Sequence, residues 1–368
     1  MNATEPGHGP GSSSSSYAKA APMSPTKFWK GVPRPLRIVT ARSFVIVPQM
    51  FGVMLVTFLL IRLLPGDPAL LLLGNMATPE AIASLRERLG LNLGIWQQFL
   101  HYVTNILHGD LGISIFTSNP VLVDLIDRAP ATLELITYAM ILTVIIGVTL
   151  AVISVVKAGG ALDYGTRIYG LAAGAIPDFW VALLLIYFLF YVAGIAAPPF
   201  GRIDAFVTPP PQVTGFYTID SLIAGDWAAF QSSVGRLTLP VLTLAIVNAG
   251  ALMKMTQSTF AGVYRSDFIR HMRASGVPEN VIVRSALRNS LPPIITLVGF
   301  LFGFLLGAAV LVETIFAWGG LGQYAVQSVI NSDYPALQGF VLVAAAFILV
   351  VYLVVDILYE LADPRIQV

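Results

Sequence analysis

The side chain best suited to a chemical role in this sequence is Asp178, which directly follows Pro177 in a long apolar run. A carboxylate at the centre of a membrane-length apolar segment costs about 3 kcal/mol on the insertion scale, so it normally faces the protein interior or a wet cavity. We predict this placement for Asp178, whose carboxylate would then attract a cationic group. Glu134, Glu313 and Asp356 lie nearer the ends of apolar runs, where a structural role is more common.

The sequence lacks the common motifs of metal binding, nucleotide binding and hydrolysis. It contains no cysteine, and its histidines are not spaced as metal ligands, so no metal site is predicted. None of its five lysines follows a glycine, which excludes the G-x-x-x-x-G-K-[ST] loop that holds nucleotide phosphates. Hydrolase motifs are also absent from the sequence. We therefore expect a chain without catalytic residues and without a bound cofactor, which is not itself an enzyme.

A polar, basic segment lies between two membrane-length apolar stretches and reads DFIRHMRASGVPENVIVRSALRNSLPP from Asp267 to Pro293. The spacing predicts a first helix from about Asp267 to Ser275, stopped by Gly276 in the left-handed conformation. A second short helix is expected to begin at Pro278. Such an amphipathic pair suits docking onto another protein, and a pair of helices that only lies on the membrane surface is the alternative.

The elements that must position these groups are helices in a membrane. Of the 368 residues, 56% are apolar and only 11% are charged, which is well below the charged share of soluble domains. Six stretches are long and apolar enough to cross a hydrocarbon core about 30 Å thick. They lie near residues 44–64, 132–156, 168–194, 237–255, 293–313 and 337–358. This pattern predicts an all-α membrane protein with six transmembrane helices.

The basic residues predict the orientation of these helices. With the N-terminus inside, fifteen of the twenty-one Lys and Arg residues fall in inner segments, so both termini and the 256–291 loop are expected in the cytoplasm. The 65–131 loop is then outside, where six carboxylates oppose three arginines and the loop is long enough to fold on itself. Asp110, Asp124 and Asp127 are the candidates there for contact with an external partner.

Residues 1–43 are expected to be separate from the membrane domain, which would occupy residues 44–368. The stretch GHGPGSSSSS has too little apolar content to fold, which predicts disorder. The basic stretch from Lys27 to Arg42 is expected to set the topology, with binding to anionic lipid as the alternative. An inverted internal repeat of the kind used by many secondary transporters is not detectable in the sequence.

From about Phe44 to its C-terminus, the chain resembles the permease subunits of bacterial ABC importers for dipeptides and oligopeptides. This branch also includes nickel and glutathione importers. The resemblance is carried by FLLIRLLPGDPA, by the outer-loop run LRERLGLNLGIWQQFLHYVTNILHGDLGIS, and by RAPATLEL and AIPDFWVALLLIYF. It continues through ALRNSLPPIIT, VETIFAWGGLGQYAVQSVINSDYPALQG and LVVDILYELADPRI in the order and spacing of the family.

The resemblance implies a type I ABC importer permease fold, and it gives the 256–291 loop a role. In ABC importers, a Glu-Ala-Ala triplet followed three residues later by Gly forms the coupling helix that enters a groove on the ATPase subunit. Gly276 matches that glycine, and Arg270, His271 and Met272 occupy the triplet positions. The role is therefore carried onto residues 267–280. The expected ATPase-coupling residues are Asp267, Arg270, His271, Met272, Arg273, Ala274, Ser275, Gly276 and Pro278.

The resemblance also implies partners and a location. Permeases of this family work with a second, homologous permease, two ATPase subunits that bind ATP and Mg, and an extracytoplasmic substrate-binding protein. The assembly lies in the bilayer of the bacterial cytoplasmic membrane and has no nucleic-acid partner. Peptides are the implied substrates, and Asp178 would hold a cationic group such as a peptide amino terminus. The candidates for the substrate pathway are Pro177, Asp178, Phe179, Trp180 and Glu313.

Several alternatives stay open at this point. An importer of the same branch for a nickel chelate or glutathione shares the motifs quoted above. A proton-coupled secondary transporter would need several buried central carboxylates, whereas the sequence offers one convincing case, Asp178. A membrane scaffold or sensor could use the cytoplasmic hairpin for binding, but it would not account for the Pro-Asp pair in the third apolar run or for the long outer loop.

Overall fold

The computed structural model describes residues 34–63, 78–88 and 90–362, which are helical throughout apart from loops and one isolated β-bridge. These residues form twelve helices. They are α1 Arg34–Leu63, α2 Pro79–Arg88, α3 Ile95–Leu107, α4 Val121–Val156, α5 Ala161–Ala173, α6 Asp178–Leu185 with a π-helical continuation Ile186–Val192, α7 Tyr217–Ala224, α8 Trp227–Tyr264, α9 Asp267–Ala274, α10 Glu279–Ile315, α11 Leu321–Ile330 and α12 Tyr334–Ala362. The all-α prediction is confirmed.

Within the described residues, the helices α4, α8, α10 and α12 are each long and apolar enough to cross a membrane. α5 and α6 would supply a fifth span if they are counted together, and α1 has a shorter apolar stretch, Phe44–Leu60. The count of six spans therefore stays a prediction. The long helices also extend well past the predicted spans, because polar residues continue the helical pattern into the loops.

The predicted N-terminal segment overlaps with a helix. α1 begins at Arg34, so residues 34–43, which were predicted to be separate from the membrane domain, belong to the helix that contains the first apolar run. Pro35 lies in the first turn, where its missing N–H has no helical partner to lose. Residues 1–33, including the Gly-, Pro- and Ser-rich stretch, lie outside the described residues, as does the end of the first predicted span at residue 64.

The third predicted span, 168–194, is not one helix. α5 ends at Ala173 and α6 begins at Asp178, and the two axes are bent by 113°. Pro177 occupies the cap position of α6 in extended conformation, where a proline cannot donate the hydrogen bond that a continuous helix would need. Asp178 is therefore the first residue of a helix and not an interruption within one.

α8 is the central helix of the bundle and packs against α4, α5, α6, α7 and α10. Its closest contacts use glycine. A Cβ atom at Gly250 would lie 2.4 Å from the Ala173 Cβ, and one at Gly147 of α4 would lie 3.2 Å from the Leu252 Cβ. Small residues of this kind let helices approach closely in lipid, where apolar burial alone does not favour association.

The bundle has two ends with different polar structure. We call the end that carries α9 the α9 end, and the end that carries α7 and α11 the α11 end. α4, α8 and α10 each run between the two ends. A buried apolar core of α4, α8 and α10 side chains lies between them; its fully buried members include Leu135, Ile136, Leu244, Leu252 and Leu305.

α10 and α12 meet at Gly299. A Cβ atom at this position would lie 1.9 Å from the Val355 Cγ2, and the β-branched valine has little rotamer freedom with which to retreat. Gly307, two turns further along α10, has no atom within 4 Å of the same virtual Cβ. The same substitution can therefore be compared at a crowded position, Gly299, and at an open position, Gly307, of one helix.

We expect Gly299→Ala to lower the free energy of unfolding by about 1–3 kcal/mol, because the added methyl group overpacks the α10–α12 contact. Gly307→Ala should be neutral or slightly stabilising, because it only removes backbone freedom from the unfolded chain. Thermal unfolding of the two variants in the same detergent compares them directly. Equal unfolding temperatures for both variants would show that the helices do not pack as closely as described here.

Candidate functional site

The segment that was predicted as a docking hairpin forms α9 and the beginning of α10. α9 runs from Asp267 to Ala274, which confirms the first predicted helix, and Gly276 adopts a left-handed φ of 75°. The second helix differs from the prediction. It begins at Glu279, after Pro278, but continues without a break through Pro292 and Pro293 to Ile315. The turn after α9 is therefore joined directly to a membrane-crossing helix.

One apolar side chain anchors α9 to the bundle. Ile269 is fully buried against Phe260 of α8 and against Ile282 and Ala286 of α10. Met272, one turn later, packs against the same cluster and is half-buried. Movement of α9 therefore has to displace the ends of α8 and α10.

A polar bracket ties the same three helices together. The Arg273 guanidinium lies 2.9 Å from a Glu279 carboxylate oxygen and 4.5 Å from the centre of the Tyr264 ring. The Tyr264 hydroxyl donates a hydrogen bond to the same carboxylate. The hydrogen bond between the two groups raises the pKa of the Arg273 guanidinium and lowers the pKa of the Glu279 carboxyl, so both members of the pair are charged near neutral pH.

The rest of α9 and its turn faces away from the bundle. Phe268 is a large aromatic side chain with 53% of its surface exposed. The other exposed residues are Asp267, Arg270, His271, Arg273, Ala274, Ser275, Gly276 and Pro278. The structure thus brings eight of the nine predicted coupling residues to one exposed segment, and it turns Met272 inward. Phe268 was not among the predicted coupling residues, although a large apolar residue within a polar helix was a visible signal in the sequence.

The bend between α5 and α6 holds the second predicted site. Asp178 is half-buried, and its Oδ1 atom is buried without a hydrogen-bond partner among the described residues. Pro177, Phe179 and Trp180 are exposed beside it. The carboxylate lies at the N-terminus of α6, where backbone N–H groups have no helical partners. An unsatisfied buried carboxylate oxygen is costly and calls for a donor from outside the described chain.

Lys254 lies near this bend, and the sequence analysis counted it only as a charge that sets orientation. A Cβ atom on Gly170 would lie 3.1 Å from the Lys254 Cε, and one on Gly174 would lie 3.8 Å from its Nζ. The side chain therefore runs along the last turn of α5, and its ammonium group is close to the carbonyl end of that helix, which favours a cation. The two glycines one turn apart, Gly170 in α5 and Gly174 directly after it, were the available sequence signal.

The two charges are not paired with each other. No ion pair joins Lys254 to Asp178 in the part of the chain that the structure describes. A lysine at the end of α5 and a carboxylate at the start of α6 therefore flank one bend with opposite charges. This arrangement suits a ligand that carries both a cationic and an anionic group.

Glu313, the fifth candidate for the pathway, has a different position. Its side chain is fully buried at the α11 end. One carboxylate oxygen accepts a hydrogen bond from the Thr132 hydroxyl at 2.5 Å, and the other accepts the Gln323 N–H at 3.1 Å. Glu313 caps the N-terminus of α11 and joins it to α4, so it does not line a pathway in this conformation.

The three aspartates predicted to meet an external partner also differ from one another. Asp124 is buried and accepts hydrogen bonds from Thr117, Asn119 and the Tyr324 hydroxyl. It is therefore a packing group that holds the loop before α4 against α11, and it is not available at the surface. Asp110 and Asp127 are exposed, so the prediction stays open for these two.

A second carboxylate, Glu134, is buried at the same end and was assigned a structural role from the sequence. Its carboxylate lies 2.6 Å from the Arg202 guanidinium and accepts hydrogen bonds from the backbone N–H and the hydroxyl of Thr218. Arg202 also donates to the Gly215 carbonyl and lies 3.7 Å from the centre of the Tyr217 ring. The pair fixes the loop between α6 and α7 onto α4.

Asp220 of α7 also orders the loop between α6 and α7. Burial raises the pKa of this carboxyl, but hydrogen bonds from Thr214, Gly215 and Val213 outweigh that effect and leave the pKa below its ordinary value. The carboxylate therefore stays charged near neutral pH and holds three consecutive loop residues in place. This explains how a loop without helix or strand becomes well defined.

Comparisons with known proteins agree with this arrangement. Residues 136–368 match the family described as binding-protein-dependent transport system inner membrane component, and residues 35–136 match its N-terminal counterpart. The probable D,D-dipeptide transport system permease protein DdpB of Escherichia coli K12 is 42% identical over 330 residues, which cover 89% of this chain and 97% of that protein. The dipeptide transport system permease protein DppB of Escherichia coli K12 is 37% identical over 336 residues, which cover 90% and 99%. DppB of Alkalihalophilus pseudofirmus is 38% identical over 327 residues, with 89% and 98% covered.

The buried pair at the α11 end yields a stability prediction. We expect Glu134→Gln to lower the free energy of unfolding by about 3–5 kcal/mol, because it leaves the Arg202 guanidinium buried without its carboxylate. Asp267→Asn removes an ion pair with Arg270 in which both side chains are largely exposed, and it should cost at most about 1 kcal/mol. Denaturation in one detergent measures both variants. Similar small losses would show that Arg202 does not depend on Glu134.

Proposed function

This chain belongs to the family of binding-protein-dependent transport system inner membrane components, and we propose that, as the permease subunit of an ABC importer, it moves peptides of the dipeptide class into the cytoplasm. The observation that carries the proposal is its similarity, along nine-tenths of its length, to relatives that are named dipeptide permeases. The opposite charges at the α5–α6 bend support the same substrate class, because a free dipeptide carries an amino group and a carboxylate.

We infer that α9 is the part of the chain that receives the movement of an ATPase subunit. Its exposed face offers Phe268 as an apolar anchor between charged neighbours, which is the composition of an effective docking surface. Its buried face transmits force, because Ile269 and the Arg273–Glu279 pair hold it to α8 and α10. A rigid-body shift of the partner would then move the adjoining ends of these two helices together.

We further propose that the bend between α5 and α6 contacts the peptide during passage. Asp178 would accept the peptide amino terminus, and Lys254 would pair with the peptide carboxylate. Broken helices serve as ligand sites in other transporters, because their exposed backbone ends carry partial charges. The full assembly would contain a second permease, two ATPase subunits that hold ATP and Mg, and a substrate-binding protein on the outer side, with the α9 end in the cytoplasm.

The test of this function begins with affinity purification of the chain from its native membranes in mild detergent. Mass spectrometry of the eluate should recover a second six-helix permease and P-loop ATPase subunits. The recovered complex, reconstituted into vesicles with its binding protein, should take up labelled dipeptide only when ATP is supplied. Competition with unlabelled dipeptide, glutathione and a nickel chelate then identifies the substrate class.

The outcomes separate the alternatives. ATP-driven uptake that glutathione or the nickel chelate blocks, while dipeptide does not, would move the chain to another substrate class of the same branch. Uptake that requires no ATP and stops when an uncoupler removes the proton gradient would establish a proton-coupled transporter and refute the proposal. Recovery of the chain alone in several detergents, with no ATP-dependent uptake, would likewise count against it.

The turn after α9 provides a specific prediction about coupling. Gly276→Val should lower the recovery of ATPase subunits about tenfold, because a β-branched residue at a φ of 75° is strained by more than 1 kcal/mol. Gly276→Asn is the matched control, because asparagine tolerates the left-handed conformation. A Cβ atom at this position has no atom within 4 Å, so neither variant should disturb the bundle. Equal recovery for the valine and asparagine variants would remove the turn from the coupling role.

The bend provides a prediction about substrate. In reconstituted complexes, Asp178→Asn should slow uptake of a free dipeptide about ten- to a hundredfold, because a hydrogen bond to a charged group contributes about 1.5–3 kcal/mol. Lys254→Gln should slow uptake of the free dipeptide but not of its C-terminal amide. Lys157→Gln, which changes an exposed lysine before the opposite end of α5, serves as the control. Unchanged uptake with both variants would place the peptide elsewhere.

A further inference from the structure

An apolar groove lies on the outside of the bundle, between α4, α10 and α12. Its volume is about 570 Å³, and its lining consists of aliphatic and aromatic side chains with one glycine. Met140, Val144 and Val148 form the α4 wall, and Val350, Val351, Val354 and Leu358 lie on the α12 side. The neighbouring side chains of Val350, Val354 and Leu358 are about half exposed, so the groove opens outward toward the bilayer.

The α10 wall of the groove continues into two arginines. Leu287, Leu291, Ile295, Val298 and Phe302 line the groove. Arg284 and Arg288 precede Leu291 by seven and three residues, so they continue the same face of the helix toward the α9 end. The helical rise of 1.5 Å per residue places them about 4–10 Å beyond Leu291. Side chains of a helix point back toward its N-terminus, which carries both guanidinium groups toward the membrane surface.

These arginines are not engaged by the protein. Both side chains are exposed, and neither has a hydrogen-bond or ionic partner in the ranges 34–63, 78–88 and 90–362. Asp356, which follows the groove-lining Val355 on α12, already interacts with another group of the chain. The mouth of the groove therefore presents two free cations.

The dimensions match one lipid leaflet. From Leu287 to Phe302 the α10 wall rises about 22 Å, which equals the thickness of one leaflet, about 20–22 Å when its headgroup region is included. The groove therefore begins in the headgroup region and reaches approximately to the midplane. A polar ligand would find no hydrogen-bond partner along its lining, and a free phosphate ion would gain nothing from the apolar part.

We propose that this groove binds an anionic phospholipid from the leaflet on the α9 side. One acyl chain lies in the groove, and the phosphate lies between Arg284 and Arg288. Basic residues at the mouth of a site between membrane helices favour acidic headgroups, and the apolar lining favours any acyl chain. The combination selects lipids by charge, which an apolar groove alone cannot do.

The test uses the full complex, extracted from vesicles that contain equal amounts of phosphatidylglycerol and phosphatidylcholine with identical acyl chains. Native mass spectrometry counts the lipids that stay bound after delipidation. We expect retained phosphatidylglycerol in clear excess over phosphatidylcholine. Arg284→Gln should weaken this preference about fivefold and the Arg284→Gln, Arg288→Gln double variant about thirtyfold, which corresponds to about 1 kcal/mol for each arginine near the surface.

Two further variants make the result specific to the groove. Lys157→Gln combined with Arg265→Gln removes two exposed positive charges from the same end and should leave the lipid preference unchanged. Val354→Trp fills the groove from a half-exposed position and should reduce retention of both lipids. Thermal unfolding in detergent confirms that each variant is folded, and a variant that fails this check is replaced by Leu291→Trp, which narrows the opposite wall.

Equal retention of the two lipids, or an unchanged preference in the double arginine variant, would overturn the proposal. A second membrane subunit could cover the same surface, and the chain allows a direct check because it has no cysteine of its own. A cysteine introduced by Val354→Cys should react with a lipid-soluble maleimide in the assembled complex. Protection of this cysteine together with its cross-linking to another subunit would assign the groove to a protein interface and refute the lipid site.

Discussion

The close packing of α8 against its neighbours is the interaction on which the rest of the structure depends. In hydrocarbon, helices gain little from burying apolar side chains against each other, so association relies on close contact between backbones. Gly250 meets Ala173 of α5, and Gly147 lets α4 approach Leu252. Because α8 touches five other helices, it fixes the positions of both the α5–α6 bend and the turn that carries α9.

Several of the buried carboxylates lie where a helical hydrogen-bond ladder begins or ends. Glu313 satisfies the first turn of α11, and Asp333 accepts the Ala336 N–H at the start of α12 while it also binds Ser114. These carboxylates hold the α11 end as a rigid structure. The α5–α6 break is different, because Asp178 has a buried oxygen that none of the described residues satisfies. The start of α6 therefore carries a buried carboxylate oxygen that a ligand could satisfy, as the proposed substrate site requires.

The sequence predicted features that depend on local rules. Gly276 and Pro278 mark the end of α9 and the start of α10, because backbone conformation near glycine and proline is decided by the nearest residues. It favoured a structural role for Glu313 but could not name its partners, and it placed Asp124 at an external surface, because the contacts of both residues depend on distant parts of the chain. Thr132 and Glu313 are 181 residues apart, and Ser114 and Asp333 are 219 residues apart. For the same reason, the sequence used Lys254 only to predict the orientation of the helices. Its position beside the bend follows from its packing against Gly170 and Gly174.

The continuity of α10 has a mechanical consequence for transport. A push on α9 reaches α10 at Ile282 and Glu279, and the other end of the same helix carries Glu313, which is bonded to α4 and α11. A helix of 37 residues is about 55 Å long, and it transmits displacement only if it stays stiff. Pro292 and Pro293 remove two backbone donors near its first third, which is where helices bend most readily. Under the proposed coupling role, α10 would therefore bend at these prolines. The segment before them would move with α9, and the segment after them would stay with the core.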